Sequence, residues 1–455
     1  MELRECGPGV KFENIITTSP AHADDIAIIA PYKTAMNILL CIAYNHSIQW
    51  FYEWGVDKCY GLHWGRVTPA EQQIPLKLGP EIIKMKTKAK HMGVILSNNQ
   101  SDELETYKKR SNDMKSVVFA ARSMGRPAVP VAPTVMSKIY NSVAIPRGLY
   151  GMEVVPVNEV GLQVIEQSHK TNAKLIMDMP NNTPSVTPLP MLGWLTINAR
   201  IAILKLMFLW RIICLPIDNI YRRVLLCVLQ PILKGNDYHT RSPTLSLYKY
   251  VEEYNLVETL NNCLLLDNIG KLPEYKRLIK KVVYEKELVR WKVTALFFHD
   301  LPLYVECVQN IEINLWLRVV RLVPSLFRQV SAILAIIAGV EPRRFQCHFN
   351  NKRCFRCVNV LDDPKHILFE CESYSRVREF YMRYLLFLMP SPMRESFLNM
   401  TDSEKTIFLV SGLNCDFCQE WLYLYRATAV FVYEMYKYRK KMHTDFKLTI
   451  TSVTT

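Results

Sequence analysis

The sequence predicts an α+β protein in which short β-hairpins and one helix come first and a long, mostly α-helical region follows. Short β-branched runs beside turn-forming residues, such as ENIITT and IAIIA, occur within the first 100 positions. From about residue 101, apolar residues recur at helical spacing. Cysteines then cluster at 347–371, which indicates a small module within the helical region.

The hairpin region can be followed element by element. Residues 12–30 predict a β-hairpin with an acidic pair near its turn. A helix is expected at 35–54 and a strand at 59–65. Gly79-Pro80 predicts a turn, and a period-two stretch follows that places Lys84, Lys86 and Lys88 on one face, ahead of a short strand at 92–96.

The helical region is divided by proline-rich breaks. Loops are expected at the two breaks, 125–133 and 179–190. The apolar periodicity predicts helices in the following stretches: 103–124, 159–178, 197–214, 245–266, 311–340 and most of the last 80 residues. No internal repeat is visible in this pattern.

The composition is that of a globular protein with a basic surface. The 455 residues are 49% hydrophobic and 22% charged, and the formal net charge is +14. This apolar content suffices for a core spread over two or more domains. The basic excess favours a polyanionic partner, RNA or DNA first and an anionic membrane surface second, while a basic protein with no such partner remains the alternative.

Neither a signal peptide nor a transmembrane segment is expected. The start, MELRECGPGV, lacks an apolar run, and Lys205 and Arg211 interrupt the apolar stretch 201–217, which we interpret as a buried helix ended by Pro216. Thirteen mostly isolated cysteines fit reduced thiols better than a disulfide framework. We therefore expect an intracellular protein, nuclear or cytoplasmic, without a membrane partner.

Asp24 and Asp25 form the acidic pair in AHADDIAIIA. Adjacent carboxylates at a tight turn suit a hard divalent cation such as Mg²⁺, and pairs of such ions drive phosphoryl transfer. The alternative is a solvated turn with two ordinary aspartates.

Several segments, in order, resemble reverse transcriptases of non-LTR (LINE-type) retrotransposons. HADDIAII resembles the Ala-Asp-Asp signature, with His22 where the family carries Tyr or Phe. EWGVDKCYGLHWG (53–65) resembles the next palm segment, and LGPEIIKMKTKAKHMGVIL (78–96) resembles the primer-grip hairpin, with Met92-Gly93 in place of its Leu-Gly. IPRGLYGMEVV (145–155) and the stretch 188–211 resemble the helical region beyond the palm.

The resemblance implies an RNA-directed DNA polymerase. Asp24 and Asp25 would hold Mg²⁺, Lys58 would lie near the phosphates of the incoming nucleotide, and Met92 and Gly93 would steady the primer end. Lysines near the hairpin would line a template-primer channel or, equally, form a solvated strand face; they are Lys84, Lys86 and Lys88. The implied domains are a partial palm at 1–100, a helical thumb or connection at 101–340, a zinc knuckle at 341–375 and a helical tail at 376–455.

A two-metal polymerase needs a further carboxylate from a neighbouring strand, which this family supplies from a motif far upstream of the acidic pair. Only Glu2, Glu5 and Glu13 precede Asp24 as acids, and their surroundings do not resemble that motif. We therefore expect a fragment that does not polymerise alone and that needs other parts of a retrotransposon protein. The alternative is a non-catalytic nucleic-acid-binding protein.

CFRCVNVLDDPKHILFEC contains Cys354, Cys357, His366 and Cys371 in the spacing C-x2-C-x8-H-x4-C. Two thiolates from one turn, with a later imidazole and thiolate, suit tetrahedral Zn²⁺. The spacing and the arginine-bearing segment after it also resemble the zinc knuckle of the same family. Four unrelated residues are the alternative.

Basic and aromatic residues surround this spacing. The cations are Arg343, Arg344, Lys352, Arg353 and Arg356, and the interleaved rings are Phe345, Phe349 and Phe355. Cations for phosphates and aromatic faces for bases predict single-stranded nucleic-acid binding, while a solvated basic loop is the alternative. Cys347 and His348 lie upstream, but the set of four ligands is complete without them.

Overall fold

The structure is a computed structural model. It describes residues 7–12, 15–65, 68–98, 100–125, 130–234, 243–265, 270–298, 301–342, 345, 353–354, 356–357, 360–413 and 417–453.

The described strands are short and lie within the first 100 positions. They are β1 (Val10–Phe12), β2 (Ile15–Thr17), β3 (Ala21–His22), β4 (Asp25–Ile26), β5 (Tyr60–Gly61), β6 (Lys77–Leu78), β7 (Glu81–Ile82), β8 (Lys84–Met85), β9 (Lys88–His91) and β10 (Val94–Ser97). Antiparallel hairpins join β1 to β2, β3 to β4, β6 to β7 and β9 to β10, while β5 and β8 run parallel. Every ladder in the described part of the chain therefore has two strands.

Helices make up most of the remaining chain. They are α1 (Lys33–Gln49), α2 (Pro69–Gln72), α3 (Gln100–Ser123), α4 (Pro133–Ile139), α5 (Ile145–Leu149), α6 (Glu159–Ile176), α7 (Pro188–Met191), α8 (Ile197–Ile213), α9 (Ile220–Leu233), α10 (Pro243–Glu253), α11 (Val257–Leu265), α12 (Leu272–Leu296), α13 (Pro302–Cys307), α14 (Leu315–Leu322), α15 (Phe327–Ile337), α16 (Ser375–Leu388), α17 (Ser391–Asn399), α18 (Asp402–Ser411) and α19 (Leu422–Val453). Two π-helical turns, Tyr140–Ala144 and His366–Glu370, complete the helical content together with short 3₁₀ turns.

The chain divides into two compact units. Unit 1 contains residues 1–109, 149–164 and 201–283, and unit 2 contains 110–148, 165–200 and 284–455. In unit 1, α1 buries Leu40 and Ala43 against Leu76, Leu78 and Ile83 from the β6–β7 hairpin and its flanks. Sequence alone favours four consecutive segments, and that division stays a prediction.

The core of unit 2 is built around α15. Every residue from 330 to 337 is buried, because α15 packs against α14, α18 and α19. Trp316 of α14 is fully buried as well, and its indole N–H donates to the Val410 carbonyl at 2.6 Å. Burial on all sides explains why residues 330–337 are apolar except for Ser331.

The α+β class is confirmed, and most predicted elements are present. The acidic pair lies at the turn of the β3–β4 hairpin, but the ENIITT segment contributes β2 to a separate hairpin with β1. Helices α6 and α8 match their predicted stretches closely, and α1 ends at Gln49, before the predicted end at residue 54. Lys205 of α8 is buried and donates its ammonium N–H to the Val155 carbonyl at 2.7 Å, so the buried-helix interpretation of 201–217 is also confirmed. Burial lowers the pKa of Lys205 to about 8.

Two local predictions are wrong, and two stretches predicted as helical are each divided into two helices. The stretch 245–266 forms α10 and α11, because Asn255 takes a left-handed conformation (φ +55°) between them, and 311–340 forms α14 and α15. The strand at 59–65 is confined to β5. The lysine stretch is split, since Lys84 lies on β8 and Lys88 on β9, and these strands pair with different neighbours.

Within the described ranges, no helix combines the length and the apolar character needed to cross a bilayer.

Candidate metal centre

The cysteine spacing folds into one cluster. One ligand atom from each of Cys354, Cys357, His366 and Cys371 lies within 4.8 Å of the other three. The Cys371 Sγ is 3.9 Å from the Cys354 Sγ and 3.8 Å from the Cys357 Sγ. Thiolates bound at about 2.3 Å to a tetrahedral zinc ion lie roughly 3.8 Å apart. The sulfur separations therefore match a shared metal ion and are far too long for a disulfide.

A tight loop presents the first two cysteines. The Cys354 N–H donates to the Val360 carbonyl at 2.9 Å, and Arg353 and Leu361 form a β-bridge beside it. At the tip, the Cys357 N–H points at the Cys354 Sγ over 3.5 Å. This N–H contact stabilises negative charge on the sulfur, as expected for a metal-binding thiolate.

A π-helical turn presents the other two ligands. The Cys371 N–H donates to the His366 carbonyl at 2.8 Å, which closes a wide i→i+5 ring. The Asp363 carboxylate accepts the His366 N–H at 2.8 Å and so caps the start of this turn. This i→i+5 spacing places His366 and Cys371 on the same side of the backbone, where both side chains reach the cluster.

The His366 ring is oriented for metal binding through Nε2. Its Nδ1 lies 3.4 Å from the Glu370 carboxylate, and its Nε2 is buried without a hydrogen-bond partner. Lys365 holds Glu370 through a 2.7 Å ion pair and keeps the pKa of that carboxyl below its usual range. A carboxylate that accepts the Nδ1 proton fixes the tautomer and leaves the Nε2 lone pair for the metal.

The surroundings of the thiols favour their protonated form unless a cation replaces the proton. Burial raises the pKa of the Cys357 thiol and raises that of Cys371 to about 12. Binding of Zn²⁺ would displace these protons, and the soft sulfur and nitrogen donors select zinc over Mg²⁺. Four protein ligands leave no open position for water or substrate, so the ion would have a structural role.

Residues distant in sequence hold this cluster to the helices around it. Asp362, in the loop between the ligands, accepts the Arg439 Nε–H of α19 at 2.7 Å, and Arg439 also pairs with Glu341 at 2.7 Å. The Arg378 guanidinium of α16 donates to the carbonyl of Cys371. Sequence reasoning missed Asp362 and Arg439, because 77 residues separate them.

The predicted basic loop is described only in part. Arg353 and Arg356 are exposed beside the cluster, while Arg343, Arg344 and Lys352 lie outside the described residues. Phe345 is buried against Tyr433 of α19, with 5.0 Å between the ring centroids. Phe345 is thus a core residue, not a base-stacking ring; Phe349 and Phe355 also lie outside the described residues.

The acidic pair lies at the tip of the β3–β4 hairpin. Asp25 pairs with His22, Asp24 occupies the turn, and Ala23 takes a left-handed conformation (φ +54°). Both carboxylates are exposed, and in the described ranges neither belongs to a group of three or more potential metal ligands. Lys58 ends a 3₁₀ turn just ahead of Tyr60, whose pKa is raised by burial and by the charge of Asp25.

The predicted primer-grip hairpin is a two-residue turn. Met92 and Gly93 both take positive φ (+49° and +81°), which gives the I′-type geometry that follows the twist of β9 and β10. Tyr150 donates its hydroxyl to the Met92 carbonyl at 2.9 Å, and a Cβ at Gly93 would meet its ring at 2.8 Å. Glycine is therefore required at this position.

The lysines beside the hairpin are exposed but not gathered into one channel-lining row. The Lys86 ammonium lies over the Tyr60 ring, 4.9 Å from its centroid. Lys88 pairs with Glu105 at 3.1 Å, and Lys84 lies on a different ladder from Lys88. Their role in nucleic-acid binding stays a prediction.

The comparisons with known proteins give no family: no protein-family model, no curated protein and no solved structure matches the chain.

Proposed function

We propose that the chain binds nucleic acid through a module organised by one Zn²⁺ ion at Cys354, Cys357, His366 and Cys371. The observation that carries the proposal is the convergence of these four ligand groups within 4.8 Å. The unpartnered, buried His366 Nε2 supports it, because a buried acceptor without a donor is costly unless an ion occupies the site. The net charge of +14 supplies attraction to a polyanion.

The zinc ion would support nucleic-acid binding by fixing the structure of the module. It ties the loop that carries Arg353 and Arg356 to the π-helical turn that leads into α16. Without the ion, the three thiols and the His366 Nε2 would remain close together with no cation to hold them in place. We expect the module to lose its fixed shape, and with it the arrangement of its cations.

The test uses the full chain and a labelled single-stranded oligonucleotide. The purified protein is expected to contain one zinc ion per chain and to bind the oligonucleotide more weakly as salt increases. Cys354→Ser and a chelator should both remove zinc and weaken binding at least about tenfold, since the site contributes several kcal/mol to the fold of the module. Cys41→Ser, at an exposed thiol outside the cluster, is the matched control.

Two outcomes would contradict the proposal. One is a chain that carries no zinc after purification under reducing conditions with zinc supplied. The other is oligonucleotide binding that is unchanged when zinc has been removed, which would show that the module does not form the binding surface.

A second candidate function is RNA-directed DNA synthesis as the C-terminal part of a non-LTR retrotransposon reverse transcriptase. The observation that favours it is the exposed pair Asp24 and Asp25 at a hairpin turn, together with the Met92-Gly93 turn of the next hairpin. In that reading the pair would bind Mg²⁺, Lys58 would assist at the nucleotide phosphates, and another part of the retrotransposon protein would provide the third carboxylate. Such a protein would work inside the cell, in the nucleus or cytoplasm.

Primer extension on an RNA template tests this second function. We expect the chain alone to incorporate no nucleotide with Mg²⁺ or Mn²⁺, because no third acidic ligand joins Asp24 and Asp25 in the described ranges. Incorporation that Asp24→Ala abolishes would overturn that expectation and make the hairpin pair catalytic.

A further inference from the structure

One side of α16 presents aromatic rings and arginines to solvent. Leu385 faces inward, where α16 packs against α19. The opposite side, the aromatic–arginine face, carries six exposed residues at helical spacing: Arg376, Glu379, Phe380, Arg383, Tyr384 and Phe387. The side chains of Phe380 and Phe387 are 70% and 78% exposed. The face is therefore a surface feature, while the inward side is part of the core.

This exposure is unusual for an amphipathic helix, whose solvent side is normally polar. The three rings follow an i, i+4, i+7 pattern, so they form one continuous strip. In the part of the chain that the structure describes, the strip has one ring contact, between Phe380 and its chain neighbour Tyr381. Contiguous large apolar groups on a surface mark a binding site.

The charges on α16 point to an anionic partner. The helix carries three arginines and one glutamate, and the glutamate, Glu379, already pairs with Arg383 at 3.7 Å. Arg376 forms no ion pair within the described residues, and the Arg383 side chain is 84% exposed. Both arginines lie between or beside the rings, where they would meet phosphates adjacent to stacked bases.

We propose that the aromatic–arginine face binds single-stranded nucleic acid, with bases stacked on Phe380, Tyr384 and Phe387 and phosphates held by Arg376 and Arg383. This inference rests on the proposed nucleic-acid-binding function and names the surface that performs it. The helical rise places Phe380 and Tyr384 about 6 Å apart along the axis, close to twice the stacking distance of about 3.4 Å. One base of an unpaired strand can therefore lie between these two rings.

The metal cluster fixes the position of this face. Cys371 is followed by a 3₁₀ turn, Glu372–Tyr374, and α16 begins at Ser375. Arg378, one turn into α16, donates to the Cys371 carbonyl. The last zinc ligand thus sets where α16 starts and how it is rotated, so zinc loss should weaken binding even though no ligand residue touches the nucleic acid.

The test compares binding of two labelled single strands of about 20 nucleotides, oligothymidine and an abasic oligomer with the same phosphates, to the full chain. The double variant Phe380→Ala/Phe387→Ala should bind oligothymidine at least about 25-fold more weakly, from about fivefold or more per stacked base, and should lose the preference for the base-bearing strand. It should keep its zinc. Phe297→Ala, at a 77% exposed ring directly after the end of α12, is the matched control and should bind as wild type.

A second variant separates charge from stacking. Arg376→Ala/Arg383→Ala should weaken binding to oligothymidine and to the abasic strand alike and reduce the slope of log affinity against log salt by about 1.4, since each phosphate contact on a single strand contributes about 0.7. Both sites are exposed, so the fold and the zinc content should be unchanged.

Each remaining outcome overturns the inference in a distinguishable way. Wild-type protein that binds no single strand at about 50 mM salt would remove the proposed function and this inference together. Zinc-dependent binding that the phenylalanine double variant retains at full strength would leave the function standing and exclude this face. Loss of self-association in that variant, with unchanged oligonucleotide binding, would reassign the face to protein docking.

Discussion

The hairpin region, residues 7–98, and the C-terminal region, residues 301–453, present their candidate ligands in opposite ways. Asp24 and Asp25 stand exposed on a turn of two-residue strands, with no third ligand near them in the described residues. Cys354 and Cys371 are buried and already spaced for a shared ion. A preorganised site needs a core around it, and only the C-terminal region supplies one at its ligands.

The hairpin region and the C-terminal region also differ in how they place large apolar side chains. The hairpin region exposes many large apolar side chains, among them Trp50, which is 66% exposed, and Phe51, which is 95% exposed. The C-terminal region buries Trp316 and the whole of 330–337. The C-terminal region therefore combines a packed core with the exposed rings of α16, whereas the hairpin region leaves Trp50 and Phe51 exposed next to a much smaller core.

Metal removal should give the largest effect and should affect only one region. Chelation is expected to abolish amide hydrogen-exchange protection in α16 and around the π-helical turn, since structural zinc contributes about 10–16 kcal/mol in small zinc peptides. Protection in α1 should stay unchanged. Hydrogen exchange is measured by mass spectrometry, with zinc-supplemented protein as the control. Loss of protection in both regions, or in neither, would contradict the prediction.

Two tryptophan substitutions compare how much each region loses in unfolding free energy when a large ring is removed. Trp316→Ala should reduce the free energy of unfolding by about 3–5 kcal/mol, because it leaves a cavity and an unpaired Val410 carbonyl. Trp50→Ala should change it by no more than about 0.5 kcal/mol, since that ring faces water. Denaturant titration followed by circular dichroism measures both, and equal losses would show that the hairpin region is packed as tightly as α15.

Ion pairs provide the next contrast. Arg439→Ala should cost about 3–5 kcal/mol of unfolding free energy, because it strands the Asp362 carboxylate, whose side chain is 3% exposed. Lys88→Ala removes an exposed pair with Glu105 and should cost less than about 1 kcal/mol. Thermal melts of both variants, with zinc content measured beside them, test this. Equal shifts in melting temperature would contradict it.

Helix caps should give the smallest difference. Thr401 and Glu404 form a capping box on the ten-residue α18, and Thr68 and Glu71 form one on the four-residue α2. Thr401→Ala should lower the unfolding free energy by about 1 kcal/mol, whereas Thr68→Ala should have no measurable effect, because α2 has no further turns to stabilise. Urea titration at pH 7 compares the two variants.

The stabilisation by the Thr401–Glu404 cap should depend on pH. The backbone N–H and the hydroxyl of Thr401 lower the pKa of Glu404 below its ordinary value of 4.5. The stabilisation is therefore present above pH 4.5 and is lost as the pH falls through the lowered pKa. Glu404→Gln should destabilise the protein at neutral pH, and the difference from wild type should shrink in acid; a constant difference would contradict this.

Sequence predicted what depends on neighbouring residues. The ligand spacing from Cys354 to Cys371, the turn at Asp24 and the helix α8 are all local patterns, and all three are present. Hydrogen-bonded rings and hairpin turns form between residues a few positions apart, so their spacing is visible in the sequence. The assignment to a reverse transcriptase stays a prediction.

What sequence did not predict depends on residues far apart or on one backbone angle. The Asp362–Arg439 pair joins a loop to α19, and nothing in either segment indicates the other. Asn255 breaks a predicted helix through its left-handed φ, which asparagine tolerates but does not require. The sequence showed only an arginine-bearing segment after Cys371, because the exposure of its rings depends on which side of α16 packs against α19.

The π-helical turn at His366–Glu370 makes the metal site sensitive to length more than to side-chain identity. Ile367 and Leu368 could be exchanged for other apolar residues without moving either ligand. Removal of one residue there would convert the wide ring to an ordinary α-turn and rotate Cys371 away by about 100°. In any set of related sequences, gaps should therefore be excluded from this stretch even where one apolar residue replaces another.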